Sequence, residues 1–470
     1  MTSTTGTEWL EELRARLGAS AVLEERSDLA AMEQGWRYGS GTALAAVRPG
    51  DAAGVAAVLR LASERGIRVQ PLGANTGLVG ASNPDASGQQ LVLSLERLSS
   101  HIEIDAVDRV VVADAGVTLS QLNEALTPYG LMFPVDLGAD PQLGGMVVTN
   151  TGGTRLVRYG DVRHNLLGID AVLPDGTLLE GCRALRKDNT GLDWKQLFCG
   201  TSGTFGVVTR VALQVVPIPA QRTAMLAAAS SGEAVLALLA HLERTVGETL
   251  SAYEVISAEA LEATLRHGAD LRNPFTEGTP AYAVLVELSS TLSPELLDLE
   301  AALAGSLEAF VESDAAEGLE DALVGQAEDF WSIRHQVSES LREEGRVLAL
   351  DLSVPRSSMS RFSAAVRELM AKEYPFVRVC DFGHWGDGGT HMNLVWRDED
   401  APSDLRAEVQ DRVYRLCVEE FQGSYSAEHG VGPHNLGHYQ RFTSPEVRAL
   451  VGALKEHLDP ARRLGTVDLD

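Results

Sequence analysis

Glycine placement constrains this chain more than any other feature. The 45 glycines concentrate between positions 66 and 206, where short β-branched runs alternate with Gly-rich turns. Two of these turns stand out. Val69-Gln-Pro-Leu-Gly-Ala-Asn-Thr-Gly-Leu-Val-Gly80 follows an apolar run, and Gly138–Gly153 has Gly144-Gly145 and Gly152-Gly153 on either side of Thr149-Asn150. Bare backbone lets successive N–H groups line a concavity for phosphate oxygens, and Asn75 and Thr76 could add side-chain donors. Neither loop is a GxGxxG fingerprint or a GxxxxGK[ST] loop, so neither dinucleotide motif is supported. A Gly-rich turn is often a plain turn; two of them in one segment favour a large diphosphate ligand, which needs close backbone approach at more than one point.

The pattern around these loops is mixed. Asp51–Arg65 predicts a helix capped by Asp51 and stopped by Gly66, with a strand restarting at Ile67. Runs at 109–114, 168–173 and 207–216 predict strands, the last ending at Pro217 and Pro219. Beyond them a helix at 232–246 and a strand at 281–288 predict a second α+β domain, and 444–457 predicts a closing helix. The expected domains are 1–217, 218–425 and 426–470.

Lys+Arg number 39 against 66 Asp+Glu, a formal net charge of −27. That balance argues against nucleic-acid binding, which needs a cationic surplus, and against docking by charge to an anionic membrane. No stretch approaches the roughly 20 apolar residues of a membrane span, and Met1–Glu12 does not read as a secretory signal. Cys182, Cys199, Cys380 and Cys417 show no CxxC spacing. Reduced thiols in a cytoplasmic protein are expected.

A second constellation lies late in the chain. Asp381-Phe-Gly-His384-Trp-Gly-Asp-Gly-Gly-Thr-His391-Met-Asn393 sets two histidines around a Gly-rich turn, and Ser426-Ala-Glu428-His429-Gly-Val-Gly432 follows. Two imidazoles and a carboxylate can make a three-ligand divalent metal site with an open position. In that reading His384, His391 and Glu428 are the ligands and His429 is free for acid–base work. The bland reading, ordinary histidines in turns, carries similar weight from spacing alone.

Taken together, the motifs at Pro71–Gly80, Gly138–Gly153, Asn189–Phe198, Gly200–Thr209, Gly383–Asn393 and Ser426–Gly432 resemble those of FAD-linked D-2-hydroxyacid dehydrogenases. These belong to the vanillyl-alcohol-oxidase/p-cresol-methylhydroxylase (PCMH) superfamily; the D-2-hydroxyglutarate and D-lactate dehydrogenases and the glycolate oxidase flavoprotein subunit form the branch concerned. The resemblance runs from about Ala45 to Arg463. It implies an α+β fold: a two-subdomain PCMH-type FAD-binding domain, an α+β substrate (cap) domain with an antiparallel sheet, and a C-terminal helical segment returning to the flavin. It further implies FAD contacts from Pro71, Gly73, Ala74, Asn75, Thr76, Gly77, Leu78, Asp140, Gly144, Gly145, Thr149, Asn150, Gly153, Val207 and Val208. No His or Cys stands in the first loop to tether the flavin, so non-covalent binding is expected. By the same likeness His384, His391 and Glu428 hold zinc or manganese, and His429 is the catalytic base. Arg334, Ser338 and Asn393 would meet the substrate.

The implied reaction oxidises a D-2-hydroxyacid to the 2-oxoacid, with electrons leaving to an electron-transfer flavoprotein, quinone or cytochrome rather than NAD; a homodimer is compatible with it. Four departures stand out: Ala349 where the family often has Lys, Ser202 in place of Glu, Gly389-Thr390 in place of Asn-Leu, and Leu464-Gly-Thr in place of Asn-Pro-Gly-Lys. The missing lysine weakens the expectation of a dicarboxylate substrate. Two alternatives stay open: a subunit of a glycolate-oxidase-like complex, and a non-redox metal- and nucleotide-binding protein.

Overall fold

The computed structural model describes residues 8–397 and 402–470. They gather into two compact units, one made of the chain through Gly152 with Asp161–Ile218 and Glu428–Asp470, the other of Gly153–Gly160 with Pro219–Ala427. No helix among the described residues is long and apolar enough to cross a membrane.

The first unit holds two main sheets. One runs in the order Val22–Leu23, Ala43–Val47, Gln90–Ser94, Arg68–Leu72, with the last three strands parallel. Parallel strands need a crossover, and the helix Ala52–Arg65 carries the chain from Ala43–Val47 to Arg68–Leu72, on either side of Gln90–Ser94. Its ends are set locally: the Asp51 carboxylate accepts the Gly54 N–H at 2.7 Å, and Gly66 closes the last turn at φ 73°. The other sheet is antiparallel, in the order Ile102–Asp105, Val110–Asp114, Val207–Gln214, Leu166–Val172, Leu178–Glu180.

The segment Gly138–Gly153 is not one continuous loop. Leu143–Thr149 is helical, and the reason is packing. A Cβ on Gly144 would stand 2.8 Å from that of Ala115 and 3.4 Å from the Val208 carbonyl, so a bare residue lets a helix settle directly on the sheet.

The end of the chain completes this unit. Val69 donates to Arg463 O at 2.8 Å and Gly465 donates back to Val69 O at 2.9 Å, adding an edge bridge beside the strand Arg68–Leu72. The helix Pro445–Leu458 is pinned by Lys455, whose ammonium donates to Asp459 Oδ2 and Thr204 O at 2.7 Å and to Leu464 O at 3.1 Å.

The second unit is built on an eight-stranded antiparallel sheet. Its main path runs Leu319–Gly325, Gln221–Ala229, Tyr282–Ser290, Leu250–Ser257, Phe382–Gly383, Gly389–Trp396, Arg346–Ser353, with Arg378–Val379 beside Gly389–Trp396. The helices Ala258–His267 and Ala327–Glu343 pack on one face over an apolar layer that includes Ala252, Ile256, Leu285, Phe382 and Trp331. The helix Gly232–Val246 lies on the other face, where Tyr253 donates to Val235 O at 2.5 Å.

Lys455 and Asp459 are 7% and 3% exposed. Removing one partner of a buried ion pair leaves the other uncompensated, at a cost of about 3–5 kcal/mol. Lys455→Met is therefore expected to lower stability by that order in urea unfolding followed by tryptophan fluorescence; an unmoved midpoint would contradict this account of how the C-terminal helix is anchored.

Candidate active site

The first unit brings its two glycine segments together. A Cβ on Gly73 would lie 3.4 Å from Gln142 Oε1 and 4.0 Å from Gly145 Cα, whereas one on Gly77 or Gly145 would meet nothing within 4 Å. Asn75, at φ 58°, turns the first loop through the left-handed region. Among the described residues, the backbone N–H groups of Ala74 through Leu78 donate to no protein acceptor. A row of backbone donors without protein acceptors is suited to phosphate oxygens.

Several side chains expected at the cofactor instead hold this frame. Asn75 donates to Gln34 O at 2.8 Å and accepts from Ser82 Oγ at 2.7 Å, so its amide fixes the loop and only its backbone is left for a ligand. Asp140 accepts from Ser120 N at 2.8 Å and Ser120 Oγ at 2.6 Å. Burial alone would raise that carboxyl, and the Ser120 bonds more than offset it, leaving its pKa below the usual value. Thr149 donates to Gly145 O at 2.8 Å. Asn150, at φ 53°, donates to Asp161 Oδ2 at 2.8 Å. Val207 and Val208 are buried and pair with Val172 and Ala171. Gly153 opens the short stretch that belongs to the second unit.

Within the second unit, one face of the sheet gathers polar groups. Antiparallel pairing sets Asp351 opposite His391 and Ala349 opposite Asn393. Phe382 also pairs with His391, and His384 follows two residues on. The His384 and His391 rings meet edge to face with centroids 5.1 Å apart. Asn393 is 4% exposed and donates to His391 O at 2.9 Å, bracing the strand there.

The anchor of this face is Glu254, which the sequence reading missed. It is fully buried in the strand Leu250–Ser257. One carboxylate oxygen accepts from His384 Nδ1 at 2.5 Å and the other from Arg334 Nε at 2.5 Å. Burial opposes its charge, but the Arg334 guanidinium and the hydrogen bonds from His384 and Arg334 outweigh it and hold the carboxyl at about 2. The guanidinium also lies 4.6 Å over the Phe382 ring. The signal was present: a Glu inside an otherwise apolar strand is almost never buried without a partner. Glu287 repeats it in the strand Tyr282–Ser290, accepting from Ser251 Oγ at 2.8 Å, Trp331 Nε1 at 2.9 Å and Arg155 Nε at 3.2 Å. Ser338 lies exposed one turn beyond Arg334, with no hydrogen bond tying it to these groups among the described residues.

The unit closes where Ala427 donates to Asp351 O at 3.3 Å, and Glu428 and His429 are the next residues of the chain. Within this unit His384, His391 and Asp351 offer two imidazoles and a carboxylate on the one face. His384 Nδ1 is engaged by Glu254, so Nε2 is the ring nitrogen on the side away from that carboxylate. A carboxylate behind a histidine is the usual support of a metal-binding imidazole. The donor set therefore fits a divalent cation.

Comparison with known proteins gives the family. Residues 43–181 match the family model "FAD binding domain" and residues 218–466 match "FAD linked oxidases, C-terminal domain". The two together define an FAD-dependent oxidoreductase. The chain is 32% identical over 447 residues to the mitochondrial D-2-hydroxyglutarate dehydrogenase of Arabidopsis thaliana, covering 94% of this chain and 78% of that one. It is 34% identical over 454 residues to the D-2-hydroxyglutarate dehydrogenase of Xanthomonas citri pv. viticola, covering 95% and 94%. In fold it is similar to substrate-bound p-cresol methylhydroxylase, with TM-score 0.72, 16% identity and coverage of 98% and 96%. An alkyldihydroxyacetonephosphate synthase gives TM-score 0.73 at 14% identity, covering 98% and 84%. The chain belongs to the FAD-linked D-2-hydroxyacid dehydrogenase family.

The buried carboxylates make an acid-sensitive frame. Glu344, with Arg266, His267 and Arg378 around it, is held at about 2 despite burial, and Glu287 is also lowered. A depressed carboxyl contributes stability that is complete above its unfolded value, about 4.3, and is lost as pH falls through the folded value. Thermal unfolding from pH 6 to pH 3 should show a progressive fall in midpoint below pH 4.5; equal midpoints at both ends would contradict the assignment.

Proposed function

We propose that this protein oxidises a D-2-hydroxyacid to the 2-oxoacid with non-covalent FAD and a divalent metal, and passes the electrons to an acceptor other than NAD. The observation that carries the reading is that Glu254 holds both His384 and Arg334 on the sheet face that also bears His391 and Asp351. The relatives named as D-2-hydroxyglutarate dehydrogenases support the substrate class.

The flavin supplies a two-electron acceptor and the cation lowers the pKa of the substrate hydroxyl. The rest falls to side chains. Arg334 has Nε committed to Glu254, so its two terminal nitrogens are available to grip a carboxylate bidentately. His429, next to Glu428, takes the hydroxyl proton at a ring nitrogen as the C2 hydride departs. Asn393 keeps His391 in register through its carbonyl. The backbone of Gly73–Leu78 and the open face at Gly145 hold the FAD diphosphate.

Ala349 stands opposite Asn393 where a lysine could have met a second carboxylate. A monocarboxylic 2-hydroxyacid such as D-lactate therefore competes with D-2-hydroxyglutarate as the substrate, and a panel of both decides between them. All four cysteines are unpaired, which supports a reducing compartment, and we place the protein in the cytoplasm. A glycolate-oxidase-like assembly would instead be marked by flavin reduction only in the presence of partner subunits.

The purified protein should be yellow, and anaerobic addition of a D-2-hydroxyacid should bleach it; exhaustive chelation should abolish the bleaching and Zn²⁺ or Mn²⁺ restore it. Undiminished turnover after metal removal would rule out the metal's part. His429→Ala should keep the flavin spectrum and slow its reduction by about 10²- to 10⁴-fold, the usual worth of a general base. Reduction at the wild-type rate would remove His429 from the mechanism.

A further inference from the structure

The proposed reaction needs two groups held at a fixed spacing: a metal ligand near the hydroxyl and a cation at the carboxylate. Both hang from the same side chain. Glu254 Oε1 takes His384 Nδ1 and Oε2 takes Arg334 Nε, each at 2.5 Å, and Glu254 itself is 0% exposed in the interior of a strand flanked on both sides by others.

We infer that Glu254 is the positioning residue that sets the distance between the metal-binding imidazole and the anion-binding guanidinium, and thereby selects acids whose carboxylate is bonded directly to the carbinol carbon. This rests on the roles given above to His384 and Arg334. One carboxylate group cannot let its two partners drift apart, and each has a second restraint. Arg334 stacks over Phe382, and His384 follows Phe382-Gly383, which pair with Ile256 and Val255 of the same strand as Glu254. His384 Nε2 and the two terminal nitrogens of Arg334 are therefore at a set spacing. A 3-hydroxyacid puts its carboxylate one C–C bond farther from the hydroxyl, about 1.5 Å. Displacement of that order costs about 10²-fold in an oriented reaction.

Glu287 is the natural comparison. It is an equally buried carboxylate on the same face of the sheet, with three hydrogen-bonded partners, none of them a histidine or Arg334.

The experiment compares full-length wild type, Glu254→Gln and Glu287→Gln as flavoproteins. Zn²⁺ affinity is read by competition with a chromophoric chelator. Flavin reduction is followed with the D-2-hydroxyacid that bleaches wild type best and with its 3-hydroxy isomer. In Glu254→Gln the flavin spectrum should be unchanged and the Zn²⁺ Kd raised about 10- to 100-fold, the usual effect of losing a carboxylate behind a ligand histidine. At saturating Zn²⁺ its KM should rise about tenfold with kcat altered far less, the mark of weakened ground-state positioning. Its preference for the 2-hydroxy isomer should shrink. Glu287→Gln should keep the wild-type Zn²⁺ Kd and preference.

Wild-type Zn²⁺ affinity and selectivity in Glu254→Gln would overturn the inference, and so would equal losses in Glu287→Gln. If Glu254→Gln does not fold, Glu254→Asp takes its place: it keeps the charge but is one methylene too short to reach both partners, so wild-type values there overturn the inference as well. Wild type that neither binds Zn²⁺ nor is bleached by any D-2-hydroxyacid sinks the functional reading first and this inference with it.

Discussion

A carboxylate without access to water holds the second unit's polar face in order. Glu254 would be prohibitively costly to bury alone; with a guanidinium on one oxygen and an imidazole on the other it stays ionised at about 2. That interaction fixes the tautomer of His384, because an imidazole that donates from Nδ1 presents Nε2 as an acceptor. It also occupies Arg334 Nε, so what the buried guanidinium has left to offer is its two terminal nitrogens. The neighbouring strands then bring Asp351, His391 and Asn393 to the same face through two-residue register.

The first unit works by a different economy. Its ligand-facing surface is backbone, and most of the polar side chains near it are already engaged within the protein. Asn75, Asp140, Thr149 and Asn150 bond to the loops and caps around them. Ser202 sits at φ 53° and donates to Val431 O at 2.7 Å, while Tyr38 stacks on His434 at 3.7 Å. Such a surface is suited to a diphosphate through amide N–H groups whose positions are set by neighbouring side chains, which makes the loop geometry more demanding than its composition suggests. The same economy explains the C-terminal tail: Leu464 bridges to Val69, at the base of the first loop, and Lys455 ties three backbone and side-chain acceptors together behind it.

Much of this was legible in the residues. The helix at 52–65, its cap and its glycine stop, the strand at 207–214, the helix at 232–246 and the helix at 445–458 follow from local periodicity and capping, which act over a few residues. The family was legible too, because its loops carry chemistry in short contiguous motifs. The helix inside Gly138–Gly153 was not, since Gly144 is tolerated there only because Ala115, 29 residues earlier in the chain, leaves no room for a Cβ.

By itself the sequence determined the element types, the glycine loops, the identity of the candidate ligands and the membership of a flavin-dependent family; these depend on neighbours along the chain or on short motifs. Only the tertiary structure decided which polar groups share a face. Glu254, His384 and Arg334 are separated by 130 and 80 positions along the chain, and nothing in local pattern could pair them. Strand register and the packing of one helix bring them together, and the energy of a buried charge then requires that the partners be present.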